Sequence, residues 1–285
     1  MRWNEALPVG NGYLGAMVFG GVAKERIQLN EHSLWSGRAA SDDSPKTLEA
    51  LPKVRELLFA GRYAEANALA QEQMMTPMNP ETFGSYQTLG DLTLAFERAE
   101  EVSDYRRQLD LKTAEVTVTY SLGGARYTRT VFASNPHRVL VVRLRTDAEE
   151  GWNFRATLSR EKDAELRVFE NTVRMTGRPK PFGTEFSAHL TCVANSGEIT
   201  NDDKGFSVAG AKRVTLLLSA ATDYTEPDPA TRSYSALKSA AARSFGALRK
   251  AHAEDHHRLF NQVAPAGALG RWVESSVELR LPHQH

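Results

Sequence analysis

From residue 86 to 225 the sequence keeps a two-residue hydrophobic period and breaks it only with turn-forming residues. Leu92, Leu94 and Phe96 alternate with polar neighbours, and so do Val116, Val118 and Tyr120. Tyr127, Arg129 and Val131 follow, then VLVVRL at 139–144 and the set Trp152, Phe154, Ala156 and Leu158. Phe186, Ala188, Leu190 and Cys192 form another such run, and VTLLLSA closes the series. Successive side chains on a strand point to opposite faces, so this spacing buries one face of a sheet. Gly123-Gly124, Asn135-Pro136, Glu170-Asn171, Asn195-Ser196-Gly197 and Asn201-Asp202-Asp203 supply tight turns between the runs. Strands joined by such turns, with no helices between them, predict a mainly β fold: a large antiparallel β-sandwich rather than a parallel sheet.

Helical spacing appears on either side of that block. Leu48, Leu51, Val54, Leu57 and Leu58 recur at helical intervals within 45–75. Ser44 before Pro45 reads as a cap, and Gly61 interrupts before AEANALAQEQMM resumes, so two short inserted helices are predicted. A proline-rich loop occupies 76–85. Leu237, Ala241, Phe245, Leu248 and Leu259 predict a C-terminal helix over 233–262. The expected organisation is a sandwich domain over 1–232, a helix over 233–263 and a tail over 264–285. That tail matches neither period beyond a short VESSVELRL alternation.

Composition narrows the function classes. With 285 residues, 41% of them hydrophobic, the chain can bury a substantial core. Lys plus Arg equals Asp plus Glu at 35 each, so no basic excess points to nucleic acid or an anionic membrane surface. The longest clean apolar stretch, Val214 to Ala221, is about half a membrane-spanning helix, and the N-terminus lacks the layout of a signal peptide. A single cysteine, Cys192, excludes an internal disulfide and any cysteine-based metal cluster. On the inward face of its strand, Cys192 reads as a core thiol. No cofactor is expected.

Several patterns resemble catalytic motifs, and each has a plainer reading. Gly10-Asn11-Gly12-Tyr13-Leu14-Gly15 fits G-x-G-x-x-G, but the flanks read strand–turn–strand, so Asn11-Gly12 is expected to be a hairpin turn. His252 and His256 are one helical turn apart, yet Ala253 stands where a zinc protease needs glutamate, so a solvated helix face is favoured over a metal site. Glu161, Asp163 and Glu165, Asp202 and Asp203, Asp223, Glu226 and Asp228, and Glu254 and Asp255 are acids in turns or on helix faces. Solvation is their default. No nucleophile-elbow pattern occurs. Two segments stand apart: Gln28 to Gly37, with Asn30, Glu31 and Trp35, and Tyr86 to Leu92, with Tyr86 and Gln87. Their mix of amide, acid and aromatic groups suits a surface facing a sugar or another domain. The competing reading buries Trp35 and leaves its polar neighbours to close turns.

These segments also carry a family resemblance. WNEALPVGNGYLGAMVFGG (3–21) and ERIQLNEHSLWSG (25–37) resemble the start of the glycoside hydrolase family 95 α-L-fucosidases. LPKVRELLFAGRYAEA (51–66), SYQTLGDLTLAF (85–96), DYRRQLDLKTAEVTVTY (104–120), LLLSAATDY (216–224) and HAEDHHRLFNQV (252–263) continue it in collinear order. The resemblance implies an N-terminal, supersandwich-like β-domain with a small helical insertion. It also implies that the catalytic groups lie in a following (α/α)6 barrel that nothing here matches, so no catalytic residue is carried over. The resemblance therefore implies a largely non-catalytic piece of an inverting α-L-fucosidase, lacking material at both ends. Its partners would be that barrel and a fucosylated glycan. The alternative is a carbohydrate-binding or scaffolding module.

Overall fold

The computed structural model describes residues 2–37, 44, 46–75, 83–97, 101–224 and 227–262, with 277–279 as backbone alone. The strands run β1 (Leu7–Gly10), β2 (Leu14–Val18), β3 (Lys24–Glu31), β4 (Gly90–Phe96), β5 (Val102–Asp110), β6 (Glu115–Leu122), β7 (Ala125–Ser134) and β8 (Val139–Thr146). They continue as β9 (Trp152–Ser159), β10 (Glu165–Phe169), β11 (Thr172–Gly177), β12 (Phe186–Ala194), β13 (Glu198–Asn201), β14 (Gly205–Ala211), β15 (Arg213–Thr222) and β16 (Val277–Leu279). Helices α1 (Thr47–Phe59) and α2 (Tyr63–Gln73) fall between β3 and β4, and α3 (Pro229–Ala241) and α4 (Phe245–Phe260) follow β15.

Seven strands form one sheet in the order β1-β2-β3-β4-β9-β14-β13, and nine form the other as β10-β11-β12-β15-β8-β7-β6-β5-β16. Adjacent strands in both are antiparallel. The predicted sandwich is therefore present. Ile27, Leu92, Leu94, Phe154 and Ala156 of the first sheet share one core with Val118, Val131, Val142, Leu216 and Leu218 of the second. Burying each of the Val, Leu, Ile and Phe side chains contributes about 1.5–3 kcal/mol.

Two runs, VLVVRL and VTLLLSA, lack clean alternation for a structural reason. Leu140, Val142, Leu144, Leu216 and Leu218 face the inter-sheet core. Val139, Val141 and Leu217 point the other way, where Phe132 joins them against Leu237 and Ala240 of α3 and Leu248 of α4. A strand covered on both faces reads as a continuous apolar run.

The helical segments differ in detail from their prediction. The single helix expected over 233–262 is two. Asp228 caps α3 by accepting from Thr231 N at 2.9 Å with Pro229 in the first turn, and Ser244 caps α4 by accepting from Ala247 N at 3.2 Å. The alanine run masked the break, because high propensity extends across it while the cap decides where a helix starts. In the insertion, Ser44 does not cap α1. Its hydroxyl donates to the Gln73 carbonyl at 2.7 Å and ties the two ends of the hairpin together. Gly61, at φ +72, makes the predicted interruption. Val54, Leu57 and Ala66 pack a small core of their own, whereas Leu48 and Leu58 are exposed at 81% and 44%. The alternation in the tail corresponds to β16, which extends the β5 edge; the rest of the tail, most of the 76–85 loop and Glu226 lie outside the described residues. No described helix is long and apolar enough to cross a membrane.

Candidate functional site

Asn11-Gly12 forms the hairpin turn expected of it. Gly12 sits at φ +88, and the Asn11 side chain accepts from Tyr13 N at 3.0 Å and Leu14 N at 2.7 Å while donating to Ser134 O at 3.0 Å. The turn presents Tyr13 beside the end of β3. There Tyr13 meets the His32 ring edge-on at 5.4 Å and lies under the Arg138 guanidinium at 4.7 Å. A nucleotide-binding turn would need a helix after the last glycine; here β2 follows.

The two segments singled out in the sequence come together. Trp35 and Tyr86 form an isolated antiparallel bridge, with Ser36 N donating to Ser85 O and Gln87 N to Leu34 O, each at 2.9 Å. The Trp35 and Tyr86 rings meet edge-on at 5.7 Å and stay 45% and 44% exposed. The reading that buried Trp35 is thereby corrected: the backbone bonds close the turn and leave the indole at the surface. Gln87 is spent locally, its amide donating to Ser85 Oγ at 2.9 Å. Asn30 is half-buried on β3, opposite Gly15, outside the cleft described next.

Glu31 is buried at the foot of this platform. Its carboxylate accepts from Ser33 N and Ser33 Oγ, both at 2.8 Å, and contacts His32 Nδ1 at 3.1 Å. Ser33 Oγ is in turn 2.6 Å from Thr222 Oγ1 at the end of β15, so the acid joins the two sheets. Tyr86 lies close enough to feel it: burial raises the phenol above its usual range and the Glu31 charge adds to the effect. Between these groups and α3 is a cleft of about 170 Å³, with Tyr13, His32, Arg138 and Arg232 on its walls and Glu31 and Thr222 at its side.

A third segment, which the sequence reading missed, completes the platform. Trp35 O accepts from Thr184 N at 3.0 Å, Thr184 Oγ1 donates to Ser33 O at 3.0 Å, and Gly37 N donates to Pro181 O at 2.7 Å. Phe182 and Tyr224 are exposed as well. Arg138 was also missed. It sits at φ +53 in the turn after Asn135-Pro136, and that turn was its only sequence signal.

The other candidates resolve into structural work. His252 Nε2 and His256 Nε2 reach the carbonyls of Thr113 at 2.9 Å and Leu111 at 3.0 Å, which docks α4. Among the described residues no group of three or more acids, histidines or cysteines could hold a metal. Cys192 is in the core, where burial pushes its thiol up to about 12. Asp202 accepts from Lys204 N at 2.7 Å in its turn, and Asp223 from Glu185 N at 2.8 Å. Among the described residues that line it, the cleft thus offers one carboxylate, Glu31, already held by Ser33 and in contact with His32. It can orient a polar partner, whereas glycoside hydrolysis needs an acid and a second carboxylate facing each other across the bond.

Residues 1–227 match the family model described as "Glycosyl hydrolase family 65, N-terminal domain". The chain belongs to that family. The chain is 32% identical to "Alpha-L-fucosidase 2" of Arabidopsis thaliana, over 92% of its own length but 35% of that protein. It is 29% identical to "Probable alpha-fucosidase A" of Aspergillus niger over 90% of this chain and 35% of that one. The chain therefore spans about a third of the length of these relatives. A solved structure described as a kojibiose phosphorylase from the human microbiome superposes on 91% of the chain with a TM-score of 0.58 at 10% identity, a likeness of fold alone. The matching model bears the family 65 name while the relatives are α-fucosidases; both describe the N-terminal part of a glycoside hydrolase. The resemblance to family 95 α-L-fucosidases read from the motifs stands.

Proposed function

We propose that this family 65 N-terminal domain is the sandwich domain of an α-L-fucosidase. The whole enzyme hydrolyses terminal α-L-fucosyl linkages of glycans with inversion, and its acid and base belong to an (α/α)6 barrel outside this chain. The observation that carries the reading is collinearity: identity to α-fucosidases runs over nine-tenths of the chain yet takes up about a third of their length. Glu31, the one carboxylate among the described residues lining the cleft, supports the non-catalytic part. In this reading the platform of Trp35, Tyr86 and Phe182 faces the barrel and the glycan. Two assays test it. The purified chain should release no fucose from a 2-linked fucosyl oligosaccharide, and turnover by the chain alone overturns the division of labour. Joined to the barrel of a relative, it should give β-fucose as the first anomer seen by proton NMR. Initial α-fucose rules out inversion.

The exposed Trp35–Tyr86 pair favours a second reading, a carbohydrate-binding module without hydrolytic duty. Calorimetric titration with fucosylated oligosaccharides should then show binding that Trp35→Ala weakens, and no heat at millimolar ligand removes the idea.

A further inference from the structure

The outer face of the nine-stranded sheet, turned away from the inter-sheet core, carries a cluster of arginines. Arg143 and Arg145 of β8 point to that face, because Val142 and Leu144, which alternate with them, fill the core. Arg213 of β15 lies directly opposite Arg145, and Thr215 lies opposite Arg143. On the other side of β8, Thr128 and Thr130 of β7 stand opposite Arg145 and Arg143, and Thr119 and Thr117 of β6 stand opposite those threonines. Two rows of side chains thus cross four strands side by side. Arg143 is fixed in place: its Nη1 donates to Thr215 Oγ1 at 2.6 Å, and its guanidinium lies 5.1 Å from the centre of the Phe245 ring at the start of α4. Arg145 and Arg213 are exposed.

No carboxylate answers this charge. Among the described residues none of the three guanidinium groups takes part in an ion pair. Asp147, the next acid along the chain from Arg145, accepts from the Arg126 amide at 2.6 Å. Like charges directly opposite each other on paired strands are destabilising. The crowding is felt at Arg143, where burial first, and then the Arg213 and Arg145 charges, hold the guanidinium below its usual pKa. Lys plus Arg equals Asp plus Glu over the whole chain, so the excess belongs to this face. An anion seated between Arg145 and Arg213 turns the repulsion into charge-assisted hydrogen bonds. A sulfate ester suits the place better than a carboxylate, because its charge is spread over more oxygens and one group can bridge two guanidinium forks. The threonine hydroxyls beside the arginines can bond sugar hydroxyls, and membership of a glycoside hydrolase family makes a glycan the carrier.

We propose that this face of β6, β7, β8 and β15 docks a sulfated oligosaccharide, with Arg145 and Arg213 bridging one sulfate ester and Arg143, Thr128 and Thr130 receiving the sugar beside it. The inference is independent of the fucosidase reading. Calorimetric titration of the full chain with a heparin-derived hexasaccharide tests it. Binding should be micromolar and should weaken as sodium chloride rises. The desulfated hexasaccharide, and an oligogalacturonate whose only anions are carboxylates, should bind at least about tenfold more weakly. Arg145→Ala with Arg213→Ala should also weaken binding at least about tenfold, and should keep or raise the Tm because a repulsion is removed. Arg55→Ala with Arg167→Ala, which takes the same charge from α1 and β10, should leave the affinity unchanged. Absence of heat with the sulfated hexasaccharide overturns the proposal, as does equal affinity for either unsulfated sugar or undiminished binding by the Arg145 and Arg213 variant. Tighter binding of a single-stranded oligonucleotide gives the face to nucleic acid and overturns it as well. Should the double variant fail to fold, Arg145→Gln decides by whether affinity falls.

Discussion

The Arg129 guanidinium on β7 lies 2.8 Å from the Glu25 carboxylate on β3, and both side chains are shut off from solvent. Arg129 also donates to Gly21 O at 2.7 Å, and Glu25 accepts from Gly20 N at 2.7 Å, so the pair pins the β2–β3 turn of one sheet to the centre of the other. Burial pushes the Glu25 carboxyl up, and Arg129 opposes that shift. Removing one partner leaves an uncompensated charge in the core. Arg129→Met should cost about 3–5 kcal/mol, and Arg129→Met with Glu25→Leu should be more stable than Arg129→Met alone. Urea unfolding of the two variants measures the difference; a double variant weaker than the single one contradicts it.

Gly37 carries a constraint of approach as well as of angle. It sits at φ +76, and a Cβ added there would lie 2.6 Å from the Gly84 backbone. Gly12, at φ +88, has nothing within 4 Å of its added Cβ. Gly12→Ala should therefore cost about 1 kcal/mol, the angular strain alone. Gly37→Ala should cost more, about 2–3 kcal/mol, because the 28–37 and 83–87 segments must part. Equal Tm losses for the two variants would show that close approach is unimportant.

His189 gives a pH dependence. It is buried between β12 and α3 with Nδ1 2.9 Å from Ser233 Oγ, and Ser233 Oγ donates to Pro229 O at 2.7 Å, so the imidazole is the donor of the pair. Burial, with a smaller contribution from Arg174, lowers its pKa from 6.5 to about 4. The unfolded chain thus binds a proton that the folded chain refuses. The contribution of neutral His189 to stability is fully present above pH 6.5 and is lost as the pH falls towards about 4. His189→Gln should flatten that loss, measured as the difference in unfolding free energy between pH 7.5 and 4.5. His252, also lowered by burial, acts in the same direction.

Cys192 should be inert in the folded chain. With its thiol pushed up to about 12 by burial, almost no thiolate exists near neutral pH. A disulfide-exchange reagent should label it in denaturant within minutes and leave native protein unmodified over the same time. Rapid labelling of native protein would mean that β12 opens.

Alternation at Leu92, Val116, Tyr127, Phe154 and Leu190 was enough to read the strands, because a sheet with one face in a core encodes that face every second residue. It also placed Arg129 inward, although nothing nearby in the chain announces Glu25 as its partner. The break between α3 and α4 was less legible, since alanine propensity runs through it and the Ser244 cap acts locally.

The candidate site divides along the same line. Gln28 to Gly37 and Tyr86 to Leu92 were visible as unusual mixtures of aromatic and polar groups, and both reach the platform. Their joining at the Trp35–Tyr86 bridge, the insertion of Thr184 beneath them, and the approach of Arg138 and Arg232 were not visible.

Sequence alone determined the sandwich and its turns, because periodicity and turn chemistry act over a few residues, and the family resemblance was carried separately by the collinear motifs. Only the tertiary structure decided which acids are matched, which aromatics remain exposed and how Arg145 comes to lie opposite Arg213. Those properties depend on contacts between residues tens to hundreds of positions apart, as between Ser33 and Thr222, and no local pattern records them.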